Sequence, residues 1–259
     1  GLDQPFILQY AKFIANVVTG DLGVDVWSNK PVSSIIGAQL PHTLQLTLLG
    51  LGWAIIVGIP LGCWSSIHPN SWIDRLAGVI SVSAIAVPSF IIAIYSLLLF
   101  TVTLRWFPAI GAGDKGDPWD QLVHLVLPSF AIGLGWVGYL ARLVRASMLE
   151  TMGENHIRMV RAYGLPSARI TYHYALKLAI LPTVALLGVG VGGLLSGAVF
   201  AEIVFARPGI GKLVYDAVMT RNYPIVMGGV LVTTILYAAS TLISDLITAA
   251  LDPRVRANL

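Results

Sequence analysis

Few residues in this chain are spaced to do chemistry. The five histidines, His42, His68, His124, His156 and His173, are scattered and form no HExxH helix. An intramembrane hydrolase would need a nucleophile and a base, or metal ligands, converging on one place, and no GxSxG occurs either. His124, at the entrance to an apolar run, reads as an interfacial histidine with an ordinary hydrogen bond in preference to a metal ligand. Cys63 stands alone inside an apolar run, so there is neither a disulfide framework nor a thiolate metal site, and it reads as a packing residue. No GxxxxGK[ST] loop is present to cradle phosphates, so any nucleotide chemistry belongs to another chain. Asp245 interrupts the last apolar run, where a carboxylate is costly unless paired or wet. A proton relay or an ion-driven transporter would want further ionisable groups at membrane depth. Asp245 is therefore weighed as a structural ion-pair partner, with arginines of the central charged stretch as its expected mates.

That stretch, Glu150 to Pro182, reads ETMGENHIRMVRAYGLPSARITYHYALKLAILP and is a charged island between long apolar runs. Glu154 and Arg158 are four apart, the order that supports an exposed helix face, and Met152, His156, Met159, Val160 and Tyr163 are expected on the opposite one. Gly164 suits the left-handed conformation that ends a helix, and Pro166 cannot continue it. Ser167 is expected to cap a second helix running through Tyr174 and Lys177. As pattern alone, this is a helical hairpin joining two membrane spans.

The elements that must position it are built for lipid. Of 259 residues 56% are hydrophobic and only 11% charged, too little charge to clothe a soluble globule of this size. Mean hydropathy of +0.79 agrees. The net charge of +3 and pI near 9.1 do not imply nucleic acid, because no basic run is interleaved with aromatics. Excess Lys and Arg on cytoplasmic loops explains them better. No Asp, Glu, Lys or Arg occurs from Pro31 to Ile73, and Leu40 to Ile67 within it is long enough to cross roughly 30 Å of hydrocarbon. Charge-free runs at 76–104, 121–141, 178–201 and 222–244 bring the expected spans to five. Pro60, Pro88, Pro128 and Pro182 fall in or beside these runs and read as ordinary kinks, with hinges as the alternative.

From Arg142 to Lys177 there are six Lys or Arg against Glu150 and Glu154, which places that loop in the cytoplasm. By alternation Trp72 to Arg75 and the tail Asp252 to Leu259 fall inside, and 105–120 and 202–221 outside. Residues 1–40 form an exoplasmic or interfacial segment, in which Phe6, Tyr10, Phe13, Ile14 and Val17 repeat at helical spacing. Residues 41–259 form the membrane core. Gly188, Gly190, Gly192, Gly193 and Gly197 make a small-residue stripe that permits close helix approach, with the lining of a passage as the second reading.

Three stretches carry a resemblance. The register IRxxRAxGL, with Arg158, Arg161 and Gly164, resembles the cytoplasmic loop of membrane permeases of binding-protein-dependent ABC importers, in their dipeptide, oligopeptide and nickel branch. Tyr163 stands where that branch often has Lys, and Val160 where Ala is usual. Glu202, Phe205, Pro208, Gly209, Ile210 and Gly211 resemble the E-x-x-F-x-x-PGIG element of the exoplasmic loop before the last span, and Arg221-Asn222-Tyr223-Pro224 its R-[DN]-YP end. The opening GLDQPFILQY with GDLG, and the ending LDPRVR, resemble the family's segment after the first span and its cytoplasmic tail.

The resemblance implies an all-α polytopic membrane protein with the type I importer permease fold, and a further N-terminal span, present in relatives, that these residues do not include. It implies a coupling helix in the 149–177 loop, seated in a groove of an ATPase subunit through Glu154, Arg158, Met159, Arg161, Ala162, Gly164 and Leu165. In the 202–222 loop it implies an outer gate and contact for a solute-binding protein, formed by Glu202, Phe205, Pro208, Gly209, Gly211 and Arg221. The implied partners are a second homologous permease, two ATPase subunits that hold ATP and Mg, the exoplasmic binding protein and the bilayer. No catalytic residue, metal or cofactor is expected on this chain. The cargo implied is a di- or oligopeptide, with nickel or a glutathione-like or opine-like solute as alternatives, in a bacterial inner membrane.

Overall fold

The computed structural model describes residues 5–108 and 110–251, and among them every regular element is helical. The opening residues 1–4 and the LDPRVR ending beyond Leu251 lie outside the described residues. Four helices are long and apolar enough to cross a membrane: α2 (Val32–Ile67), α5 (Pro118–Met152), α9 (Leu181–Val204) and α11 (Tyr223–Leu251). A fifth crossing is made only if the bent pair α3 (Trp72–Ala86) and α4 (Ser89–Ser96, continuing as a π-helix over Leu97–Thr103) counts as one. The shorter helices are α1 (Phe6–Val18), α6 (Asn155–Ala162), α7 (Ser167–Arg169), α8 (Leu176–Ala179) and α10 (Ile210–Met219).

The run 76–104, read above as one span with an ordinary kink at Pro88, is broken. Its two halves meet at an angle of 100° across Val87 and Pro88. Val87 is extended, as the residue before a proline prefers, and Pro88 starts α4 without an amide hydrogen to carry the ladder through. Pro88 thus turns the chain, whereas Pro60 and Pro128 lie inside continuous helices and Pro182 sits in the first turn of α9. The first span also begins earlier than the hydropathy suggests, at Val32, which gives α2 36 residues, a rod of about 54 Å.

Small residues set the packing. Helices in lipid gain from van der Waals contact more than from water exclusion, so backbones that approach closely are favoured. A Cβ on Gly62 of α2 would lie 2.4 Å from the carbonyl oxygen of Ala141 on α5. The same device joins α9 to its neighbours: Gly188 lies under Ser244 of α11, and Gly190 under the Trp136 ring of α5. Ser244 Oγ donates to the Val184 carbonyl at 2.6 Å and Ser240 Oγ to that of Gly188 at 3.1 Å, so hydroxyls reinforce the close contact. The glycine stripe is therefore a helix-packing surface. Gly193 and Gly197 also border a cavity of about 340 Å³ at the Pro88 bend, with Ser89, Trp136 and Tyr139.

Candidate functional site

The loops gather at two opposite ends of the bundle. At one end, α5 runs past its apolar part, and Gly153 and Glu154 turn the chain into α6. Ile157 and Val160, three apart, are the buried residues of this eight-residue helix. They enter a cluster with Cys63, Val144, Met148, Ile170 and Ala175, and Met152 and Leu165 pack against it. Arg158, Met159, Arg161, Ala162 and Tyr163 are exposed.

The expected face is thus corrected by about one residue. Met159 and Tyr163 point away from the core, because Ile157 and Val160 already fix the inner side. Glu154 precedes the helix and pairs with His156 Nδ1 at 3.0 Å in place of Arg158. Gly164 has φ +76°, in the left-handed region, and its amide donates to the Arg161 carbonyl at 3.0 Å, which closes the helix as expected. Ser167 makes no capping bond, since Pro166 already occupies the N-cap of α7. From there the backbone widens into a π-helix over Ile170–Ala175 before α8 and α9.

The turn between α2 and α3 belongs to the same end. Arg145 grips Asp74 with two parallel bonds, Nε to Oδ1 at 2.6 Å and Nη2 to Oδ2 at 2.7 Å. Asp74 also accepts from the Asn70 amide, and Ser71 caps α3 by accepting from the Asp74 amide. The acid paired by an arginine is therefore Asp74. Asp245 is exposed on α11 and ion-paired to none of the described residues.

At the other end the charged groups turn inward. Glu202, on the last turn of α9, is fully buried. Its Oε1 accepts from Thr43 Oγ1 at 2.7 Å and its Oε2 from the Lys212 amide at 2.8 Å. Thr43 Oγ1 in turn accepts from the Ile210 amide at 2.8 Å, so one hydroxyl ties α2 to the carboxylate and to the start of α10. Ala206 takes φ +44°, and the Arg207 amide donates back to the Glu202 carbonyl at 2.8 Å. This turn folds the Arg207 side chain into the interior, where it is fully buried.

The two glycines of PGIG are needed for contact. A Cβ on Gly209 would fall 2.0 Å from Glu202 Oε1, and one on Gly211 2.7 Å from Val199 Cγ2. Phe205 is buried against Ala93, Leu127 and Ala131, and its carbonyl accepts from the Gly111 amide at 2.9 Å. Arg221 is exposed at φ +56°, and the following Asn222 is buried and donates to Asp25. Asp25 also accepts from the Ser28 hydroxyl and amide, and these bonds, Ser28 first and Asn222 second, lower its pKa from 3.8 to about 2.

Of the residues named for an outer contact, then, Glu202, Phe205 and Gly209 are buried, Pro208 and Gly211 are half-buried, and Arg221 is exposed. Sequence reasoning did not single out Thr43, Arg207, Asp25 or the Asp74–Arg145 pair. Arg207 lies inside the quoted motif, and the presence of both an acid and an arginine in so apolar a segment was the available signal. Among the described residues no three His, Cys, Asp or Glu side chains are grouped to hold a metal; His124 makes the ordinary contacts expected of it, to the carbonyl and carboxylate of Asp120.

Comparison with known proteins agrees with this architecture. The chain is 33% identical over 277 residues to the dipeptide transport system permease protein of Alkalihalophilus pseudofirmus, covering 99% of this chain and 83% of that one. It is 34% identical over 256 residues to the glutathione transport system permease protein of Escherichia coli K12, covering 99% and 81%. An inward-facing structure of the MetNI methionine ABC transporter superposes with a TM-score of 0.69 at 19% identity, covering 84% of this chain and 96% of that one. The fold is that of the type I ABC importer permeases. Residues 58–257 match the model of the binding-protein-dependent transport system inner membrane component, and the chain belongs to that family of multi-pass membrane permeases of ABC importers.

Proposed function

We propose that this chain forms half of the pathway by which short peptides, delivered by an exoplasmic solute-binding protein, cross a bacterial inner membrane under the drive of separate ATPase subunits. The observation that carries the reading is α6, which is fastened to the membrane helices by Ile157 and Val160 while Arg158, Met159, Arg161, Ala162 and Tyr163 face outward. A mixed apolar and cationic surface on a helix with a rigid back suits a groove on a soluble partner. Gly164 and Leu165 hold the exit of that helix, and Glu154 its entry.

In this reading ATP-driven closure of two ATPases pulls α6, and the pull reaches the spans through α5 and through the π-helix that leads into α9. Alternating access follows as the spans rock against a second, homologous permease. In this reading the cavity at the Pro88 bend, lined in part by Gly193 and Gly197 of α9, borders the passage. ATP and Mg stay on the partner subunits. The assignment of short peptides as cargo rests on relatives named for dipeptide and glutathione transport. The α5–α6 end is assigned to the cytoplasm by its excess of arginines, which leaves the loop around Arg207 and Arg221 outside, where Arg221 and Pro208 are available to the binding protein.

Uptake of labelled dialanine into proteoliposomes that hold both permeases and both ATPases, with the binding protein outside and ATP inside, tests this. Uptake should need all the components. Uptake without the ATPases, or labelling of a cysteine at 159 only from the binding-protein side, would overturn the proposal.

A further inference from the structure

The buried Arg207 is poorly matched by the groups around it. Glu202 is the acid closest to it in sequence and influences it electrostatically, yet both Glu202 oxygens are engaged by Thr43 and the Lys212 amide. The bond Arg207 makes is long: Nη2 to Gln45 Oε1 at 3.4 Å. Its Nε and Nη1 have no hydrogen-bond partner, nor has the buried Oε1 of Gln39. Unpaired guanidinium donors at zero exposure are costly, so the side chain gains by turning toward an acceptor that enters beside it.

The space for one is present. Arg207, Gln39, Gly209, Lys212, Leu213 and Asp216 line a cavity of about 310 Å³ beneath the turn at Pro208. That is at the small end of ligand sites, enough for a compound of one or two amino acids. A guanidinium matches a carboxylate in plane and spacing, and Lys212 adds positive charge at the rim, while Asp216, already paired with Lys212 at 2.6 Å, offers an acceptor for an ammonium. Burial lowers the pKa of Arg207 and the charge of Glu202 opposes this, as an arriving anion would further.

We propose that this cavity is a carboxylate subsite for a small zwitterionic solute, with Arg207 receiving the carboxylate and Gln39 and Asp216 facing its amino end. The inference rests on the peptide-importer reading and deepens it, by placing a solute contact on the permease itself at the α9–α10 end. Its consequence is that the free carboxyl terminus of a peptide is read after the binding protein has released it.

The test uses the full chain with its partner subunits in nanodiscs, without binding protein or nucleotide, and compares binding of dialanine with that of dialanine amide by equilibrium dialysis. Dialanine should bind, with the amide at least about tenfold weaker, a difference of about 1.4 kcal/mol. Leu213→Trp, which fills the cavity and keeps Arg207, should abolish the difference. So should the double variant Glu202→Gln/Arg207→Gln, chosen because it removes both buried charges together. Equal binding of acid and amide, no binding of either, or a difference that persists in Leu213→Trp would overturn the subsite. A dependence on Arg207 seen only when binding protein is added would also overturn it, and would assign the arginine to an acidic residue of that protein. Peptide uptake by the complete system, measured in parallel, separates the two readings: uptake without a carboxylate preference removes the subsite alone, and absence of any peptide uptake removes the peptide-importer reading while leaving the binding result to stand.

Discussion

The two ends of the bundle treat charge in opposite ways. At the α5–α6 end Arg158 and Arg161 stand in the open on a helix only eight residues long, while Asp74 pairs with Arg145 and Glu154 with His156. At the α9–α10 end Glu202, Arg207, Asp25 and Asn222 are buried, and three side-chain bonds, Thr43 to Glu202, Arg207 to Gln45 and Asn222 to Asp25, join distant parts of the chain. The difference teaches where the chain uses charge in its own packing. One end directs its charges into the interior of the chain, and the other leaves most of them on the surface.

This contrast can be broken by substitution. The largest effect is expected from Glu202→Ala, which strips the Thr43 hydroxyl and the Lys212 amide of their buried acceptor and should destabilise the protein by about 2–4 kcal/mol, read by thermal denaturation in detergent. An effect no larger than that of Arg158→Ala would erase the distinction between the ends. Gly209→Ala drives a Cβ onto the Glu202 carboxylate and should cost about 1–3 kcal/mol, with ATPase docking unchanged.

At the opposite end, Gly164→Val places a β-branched residue at φ +76°, a strain of about 1–2 kcal/mol. The expected outcome is protein that still inserts and folds but hydrolyses ATP without matching uptake; normal coupling in this variant would remove Gly164 from the mechanism. Arg158→Ala and Met159→Ala should shift stability by less than about 0.5 kcal/mol, as exposed changes do, while weakening binding of the ATPase subunits measurably in pull-down titrations. The smallest effect concerns acid. Asp25 has a folded pKa of about 2 against an ordinary 3.8, so its stabilising contribution is complete above that ordinary value and is lost as pH falls towards 2. Melting temperature of the native chain should therefore drop more between pH 4 and pH 2 than that of Asp25→Asn.

Much of the architecture was legible in the residues. The long charge-free runs marked the crossing helices, and Gly164 and Pro166 marked the end of α6. Periodicity was less informative where the helix was short: over α6 and the Tyr163 that follows it, Met159 and Tyr163 fit an apolar face as well as Ile157 does, and neighbours such as Val144 and Met148 decide between them. Hydropathy could not show the 100° bend at Pro88, because both halves of a broken span are equally apolar. The burial of Glu202 and Arg207 was hidden for a related reason. A loop motif with two charges suggests solvent, and it takes Thr43, some 160 positions earlier in the chain, to give the carboxylate a place inside.

The two prolines within α2, Pro41 and Pro60, donate no hydrogen bond to the helix ladder. They lie nineteen residues apart, about 28 Å along the axis, close to the thickness of the hydrocarbon layer. The rod is thus stiffer between the two prolines than at either of them. A push applied beside Ala54 would arrive beside Thr43 almost undiminished, and flexing would be confined to the two joints.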